Sequence, residues 1–154
     1  MNISYTDIEI LTNNLYNKIK LSFTPELVIG IGTGGWLPSK LVNNKFKVEL
    51  DTIKLSSYNG NQQGEIKESS INILNTDNLR NKKILVIDDV NDTGETLKYM
   101  VELLSSLTNE LHIGVLHHKD KTKALDLFLD KRCVYHYAEI IEDVWIHYPW
   151  DKDN

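Results

Sequence analysis

The sequence predicts one α/β domain built on a doubly wound parallel sheet. Three observations carry that prediction. Short unbroken apolar runs occur at 27–31, 84–87 and 113–116, helix-period stretches lie between them, and glycines or acids follow the first two runs directly. An unbroken apolar run of this length suits a strand covered on both faces, which is the situation inside a parallel sheet. Strands that alternate with helices imply crossover connections and therefore parallel pairing. At 154 residues the chain has the length of a single domain, 1–154.

The elements follow in order. A helix over 6–20 starts on a Thr6/Glu9 capping-box pattern and repeats Ile8, Leu11, Leu15 and Ile19 at helical spacing. The strand at 27–31 ends in glycines, and a helix over 37–45 carries Pro38 in its first turn, where the missing N–H is no loss. Residues 48–55 alternate apolar and polar side chains, a strand pattern. Residues 56–70 are polar, contain Gly60 and Gly64 and have no periodicity, so they read as a long loop of the kind that often serves as a lid. The strand at 84–87 leads into a helix over 92–107 with Leu97, Met100, Val101, Leu104 and Leu107 on its apolar face. Strands at 113–116 and 135–141 complete the set.

Composition narrows the function classes. The chain is 41% hydrophobic and 25% charged, the profile of a globular protein with a core. No apolar run approaches the roughly 20 residues of a membrane helix. The first ten residues lack the basic flank and apolar segment of a signal peptide. The single cysteine, Cys133, can form no internal disulfide and reads as a small packed residue rather than a nucleophile. These features lead to the expectation of a cytoplasmic protein without a membrane partner. Net charge is −5 with no Lys/Arg cluster, which argues against a nucleic-acid partner. An anionic ligand would have to be held by backbone N–H groups, a few lysines or a metal ion. The histidines His117, His118, His136 and His147 lack the paired spacing of a zinc site.

In doubly wound sheets ligands bind beyond the carboxyl ends of the strands, which directs attention to 32–35, 56–64, 88–96, 117–121 and 143–151. The run Val86-Ile-Asp88-Asp89-Val90-Asn91-Asp92-Thr93-Gly94-Glu95-Thr96-Leu97 is the most informative. A buried strand delivers two adjacent carboxylates, and a tight turn then opens a helix. First-turn N–H groups without intrahelical partners and the positive end of the helix dipole, together with the hydroxyls of Thr93 and Thr96, make a phosphate cradle. Carboxylates beside a phosphate need hydroxyls or a cation to face. A ribose 5-phosphate supplies the hydroxyls, and a bound metal the cation.

That run, VIDDVNDTGETL, resembles the ribose-phosphate signature of the type I phosphoribosyltransferase family. The resemblance implies that family's single α/β domain, with a small hood formed by the chain ends, mainly about 135–154. It implies that Asp88 and Asp89 hold the ribose hydroxyls and help position Mg²⁺. Asp92 would be the base near purine N7, with Asp92, Thr93, Gly94, Glu95 and Thr96 wrapping the 5′-phosphate. The turn Gly32-Thr33-Gly34-Gly35 has the place and glycine content of the family's pyrophosphate loop, although Thr33 stands where many relatives carry Arg or Lys. Ser57-Tyr58 is similar to the mobile lid of the purine branch.

The pattern D-x-W-I-x-x-P-W-D, from Asp143 to Asp151, resembles the base-binding end of hypoxanthine-guanine and xanthine-guanine phosphoribosyltransferases. By that likeness Trp145 stacks on the base, the Ile146 backbone reads its edge, and Asp151 lies near the metal. Trp150 is expected to pack. Lys119 would donate to O6 of a 6-oxopurine, with Lys121 as a rival. The implied activity joins hypoxanthine or guanine, and xanthine as a further substrate, to 5-phosphoribosyl-1-pyrophosphate (PRPP), in a homodimer or homotetramer. The alternatives left open are a non-catalytic PRPP-sensing regulator on the same fold and a transferase for another base.

Overall fold

In the computed structural model, residues 1–57, 66–68, 76–121 and 130–151 are described. The chain runs through α1 (Tyr5–Ile19), β1 (Leu27–Gly32), α2 (Trp36–Phe46), β2 (Glu49–Ser57), β3 (Ile66–Glu68), α3 (Thr76–Leu79), β4 (Lys83–Asn91), α4 (Glu95–Leu104), β5 (Glu110–Lys119) and β6 (Val134–Ile141). One sheet holds all six strands in the order β3-β2-β1-β4-β5-β6. Pairing is parallel from β2 through β6, and β3 runs antiparallel beside β2.

Alternation along the strands divides the core in two. Ile84 and Val86 of β4 join Leu27, Ile29, Ile53, Ile113 and Val115 against Leu97, Met100, Val101 and Leu104 of α4 and Leu79 of α3. Leu85 and Ile87 turn the other way, with Val28 and Leu116, and meet Ile8, Leu11, Leu15 and Ile19 of α1 and Val42 of α2. Helices therefore cover both faces, as the doubly wound expectation requires. Each fully buried Leu, Ile or Met contributes about 1.5–3 kcal/mol of transfer free energy.

Several boundaries differ from the sequence reading, each for a local reason. The capping box of α1 is Ser4 with Asp7, not Thr6 with Glu9: the Ser4 hydroxyl accepts from Asp7 N–H at 3.2 Å and Asp7 accepts from Ser4 N–H at 2.8 Å. The fourth helix begins at Glu95 rather than 92 because Gly94 sits at φ 86°, left-handed backbone that a helix cannot contain and that favours glycine. Part of the segment read as loop, 66–68, pairs with Leu55, Ser56 and Ser57 of β2. β4 and β5 continue past their apolar runs, to Asn91 and Lys119, because a neighbouring strand still accompanies them.

The last strand belongs to the sheet, and Val134–Ile141 form its edge. Beyond it the two chain ends meet. Ile3 N–H donates to the His147 carbonyl at 2.9 Å, and His147 N–H donates to the Met1 carbonyl at 2.8 Å. No helix among the described residues is long and apolar enough to cross a membrane.

Candidate functional site

Asp88 and Asp89 leave the core on opposite faces of β4. Asp88 is 8% exposed, and its Oδ1 accepts from Asp89 N–H at 2.9 Å. Asp89 Oδ1 accepts from Val90 N–H at 2.7 Å. No lysine or arginine is paired with either acid among the described residues. Burial, and then the charge of Asp89, push the Asp88 carboxyl well above the usual range. Burial also raises Asp89; the Val90 N–H, Asp88 and the Trp150 indole oppose that rise, and Asp151 adds to it. The Trp150 N–H faces Asp89 without forming a hydrogen bond of normal geometry, and its ring stacks on Tyr148 at 4.8 Å, the packing role expected of it. The result is concentrated, uncompensated negative potential, which suits a divalent cation or hydroxyl donors.

The glycine turn after β1 presses directly on this pair. A β-carbon on Gly34 would collide with the Asp89 carboxylate, so the close approach requires glycine. Gly35 N–H is used on the Ile31 carbonyl and Trp36 N–H on that of Thr33, leaving the N–H groups of Thr33 and Gly34 without a backbone partner among the described residues. On the other side lies a cleft of about 240 Å³ lined by Asp88, Asp92, Thr93, Gly94 and Thr96. Gly94 offers no side-chain cap to α4, and among the described residues only a long 3.4 Å contact from Glu95 N–H to Thr93 Oγ1 uses the first turn. Those free donors at the positive end of the dipole are what an anion needs.

Asp92 is in a different state from the acid pair. It sits with Asp143 between two lysines. Lys121 Nζ lies 2.5 Å from Asp92 and 2.8 Å from Asp143, and Lys119 Nζ lies 3.4 and 3.5 Å from the same two oxygens. Burial alone would raise Asp92, but Lys121 and Lys119 outweigh it and hold the carboxyl below its usual value. Asp143 is held low by the same lysines, Lys121 first. The Lys119 side chain is only 8% exposed against 28% for Lys121.

Trp145 is 73% exposed, an available aromatic face, while the Ile146 side chain is anchored in the α1-side core. His147 spends both backbone groups on the N-terminal segment. Asp151 accepts from Tyr148 N–H at 2.8 Å, closing a turn beside Asp89. Among the described residues no three His, Cys, Asp or Glu side chains converge tightly enough to hold a metal by protein ligands alone. Ser57 ends β2, paired with Ile66; Tyr58 lies outside the described residues. Burial pushes the Cys133 thiol up to about 11, away from nucleophilic character. Sequence reasoning assigned no role to Asp143 or Tyr148. The only available signal was their place within the Trp-rich segment.

With this geometry the comparisons with known proteins agree. The model of the phosphoribosyl transferase domain matches residues 2–150. This chain belongs to the phosphoribosyltransferase family. Its relatives are those of the purine branch. It is 28% identical to the hypoxanthine-guanine phosphoribosyltransferase of Saccharomyces cerevisiae, over 97% of this chain and 85% of that one. It is 31% identical to the xanthine-guanine phosphoribosyltransferase of Nitratidesulfovibrio vulgaris, over 82% of this chain and 69% of that one. Among solved structures, a hypothetical protein from Neisseria gonorrhoeae with bound ppGpp superposes with TM-score 0.87 at 26% identity, covering 99% of this chain and 90% of that one. A purine phosphoribosyltransferase from Pyrococcus horikoshii shares the fold, with TM-score 0.80 at 22% identity and coverage of 100% and 95%.

Proposed function

We propose that this phosphoribosyltransferase transfers the phosphoribosyl group of PRPP to N9 of a 6-oxopurine and releases pyrophosphate. Hypoxanthine and guanine are its first substrates and xanthine a further one. The observation that carries the reading is the unpaired acid pair Asp88/Asp89 set between a glycine turn and an uncapped helix start.

In this mechanism the 5′-phosphate binds the first-turn N–H groups of α4 and the hydroxyls of Thr93 and Thr96, with Asp92, Gly94 and Glu95 completing the turn. Asp88 and Asp89 accept from the ribose hydroxyls, and their potential favours the positive charge that develops at C1′ as the leaving group departs. The backbone of Gly32, Thr33, Gly34 and Gly35 holds pyrophosphate without a loop cation. Ser57 and Tyr58 belong to the lid that keeps water from C1′.

Asp88 and Asp89, with Asp151 partly through water, would hold Mg²⁺. Their uncompensated charge fits a hard cation, whose remaining positions substrate oxygens and water would fill. When bound, the metal neutralises the pyrophosphate leaving group.

The Asp92–Lys119 pair supports the base assignment. An acceptor beside a donor matches the N7–H and O6 of a 6-oxopurine tautomer, so Asp92 takes the N7 proton while Lys119 donates to O6. Adenine places an amino donor against Lys119 and is disfavoured. Trp145 stacks on the ring, a contact worth about 1–3 kcal/mol by analogy with base stacking, and the Ile146 backbone meets the 2-position edge. We further propose a cytoplasmic homodimer or homotetramer; Val134 and Ile140, 46% and 50% exposed on β6, give it apolar surface to cover.

The test is pyrophosphate release from PRPP and Mg²⁺ with hypoxanthine, guanine, xanthine, adenine and uracil in turn. Release with the first three and little with the others is expected; no release with any base would refute the activity and favour a PRPP-sensing regulator. The ppGpp in the Neisseria structure favours one added feature, binding of a pyrophosphate-bearing guanine nucleotide at the same site. Inhibition by ppGpp competitive with PRPP checks it.

A further inference from the structure

Tyr148 and His117 have no part in the reading so far, yet they touch the acid pair from behind. The Tyr148 side chain is buried, and its hydroxyl lies 3.1 Å from the carbonyl oxygen of Asp89. The same hydroxyl lies 2.7 Å from Nδ1 of His117, a fully buried ring. A phenol has one proton, and a carbonyl can only accept. Both contacts are hydrogen bonds in one arrangement only: Nδ1–H of His117 donates to Tyr148 Oη, and Tyr148 O–H donates to Asp89. Nε2 of His117 is then bare. That agrees with its lack of a hydrogen-bond partner, since Glu139, at 3.8 Å, is beyond hydrogen-bond reach. Burial holds the imidazole below its usual range, with Glu139 opposing, so the ring is neutral at pH 7 and carries a single N–H.

We propose that His117 and Tyr148 are positioning residues: a buried relay that fixes the Asp89 peptide, and with it the carboxylate pair, from the segment that carries Trp145 and Ile146. The proposal rests on the reading of Asp88 and Asp89 as ribose-facing acids. It adds that the base segment and the ribose acids are held in register by one hydrogen-bonded chain, reinforced where Trp150 stacks on Tyr148 and faces the Asp89 carboxylate. Without the relay the end of β4 keeps its strand pairing to β5 but loses its tie to the hood segment.

Tyr148→Phe keeps the stacked ring and removes the proton. Loss of one buried hydrogen bond predicts a KM for PRPP raised about 3- to 10-fold, with a smaller change in the KM for hypoxanthine and a Tm lower by about 2–4 °C. His117→Leu should match it. His117→Asn, whose amide N–H overlays Nδ1, should restore most of the loss, and Tyr148→Phe with His117→Leu should be no worse than either alone. Equal rises in both KM values that track a fall in Tm would overturn the relay, as would a wild-type KM for PRPP in Tyr148→Phe. Nitrogen-15 NMR of His117 in the free protein is expected to show the Nδ1–H tautomer; Nε2–H would also overturn it. That spectrum judges the relay even if the wild-type chain releases no pyrophosphate, an outcome that sinks the activity instead.

Discussion

Two clusters of carboxylates, Asp88 with Asp89 and Asp92 with Asp143, are in opposite electrostatic states. Asp88 is buried and Asp89 half-buried, neither has a cation among the described residues, and burial pushes both upward. Asp92 and Asp143 are about half exposed and share two lysines, so both are held low. The first cluster is incomplete without something that brings positive charge or hydroxyl protons. The second is self-neutralised, and a ligand has to replace its ion pairs with contacts of the same donor and acceptor order. The contrast is what the proposed division of the site, ribose against one half and base against the other, would call for.

Disabling the second cluster should have the largest effect. Asp92→Asn is expected to lower kcat for hypoxanthine by about 10²–10⁴, with fold and PRPP binding nearly intact, measured by pyrophosphate release and PRPP titration. Full activity in that variant would break the proton-transfer assignment. Next, Lys119→Met should raise the KM for 6-oxopurines about 10- to 100-fold, the loss of a hydrogen bond to a charged donor. Lys121→Met should do much less, since its more exposed ammonium is screened; a reversed order would exchange their roles.

The stability effects are smaller and of opposite sign in the two clusters. Asp88→Asn removes a buried, repelled charge and is expected to raise stability at pH 7 by about 1 kcal/mol, roughly 2–4 °C in Tm. Calorimetry checks this, and a lower Tm would mean that the pair is already compensated. The pH dependence follows from the same shifts. The folded acid pair binds protons at a pH where the unfolded chain does not, so the free protein gains stability as pH falls from neutral toward the ordinary carboxylate range. Below that range Asp92 and Asp143 lose their charge, the lysine pairing goes with it, and stability falls. Asp88→Asn should flatten the gain and leave the acid loss in place.

Much of the scaffold was legible because burial on both faces writes itself as unbroken apolar runs. Leu27 to Ile31 and Ile84 to Ile87 read as strands buried on both faces, and the structure places them as β1 and β4 at the centre of the sheet. The site was legible where chemistry is local in sequence: two acids, a Thr-Gly turn and a helix start within ten residues. It was less legible where the deciding facts are contacts across the sheet. The start of α4 at Glu95 depended on one backbone angle at Gly94. The pairing of 66–68 with β2 depended on a neighbour strand that polar composition does not announce.

By itself, then, the sequence determined the doubly wound sheet, the acid-rich strand end and the Thr-Gly turn into a helix, because each follows from residues adjacent in the chain. Only the tertiary structure decided that Asp89 rests on Gly34, that Asp92 is neutralised by Lys119 and Lys121, and that Tyr148 and His117 reach the back of the acid pair. Those contacts join residues 27 to 59 positions apart. Their distances and burial set the charge state of each acid, and no local pattern encodes them.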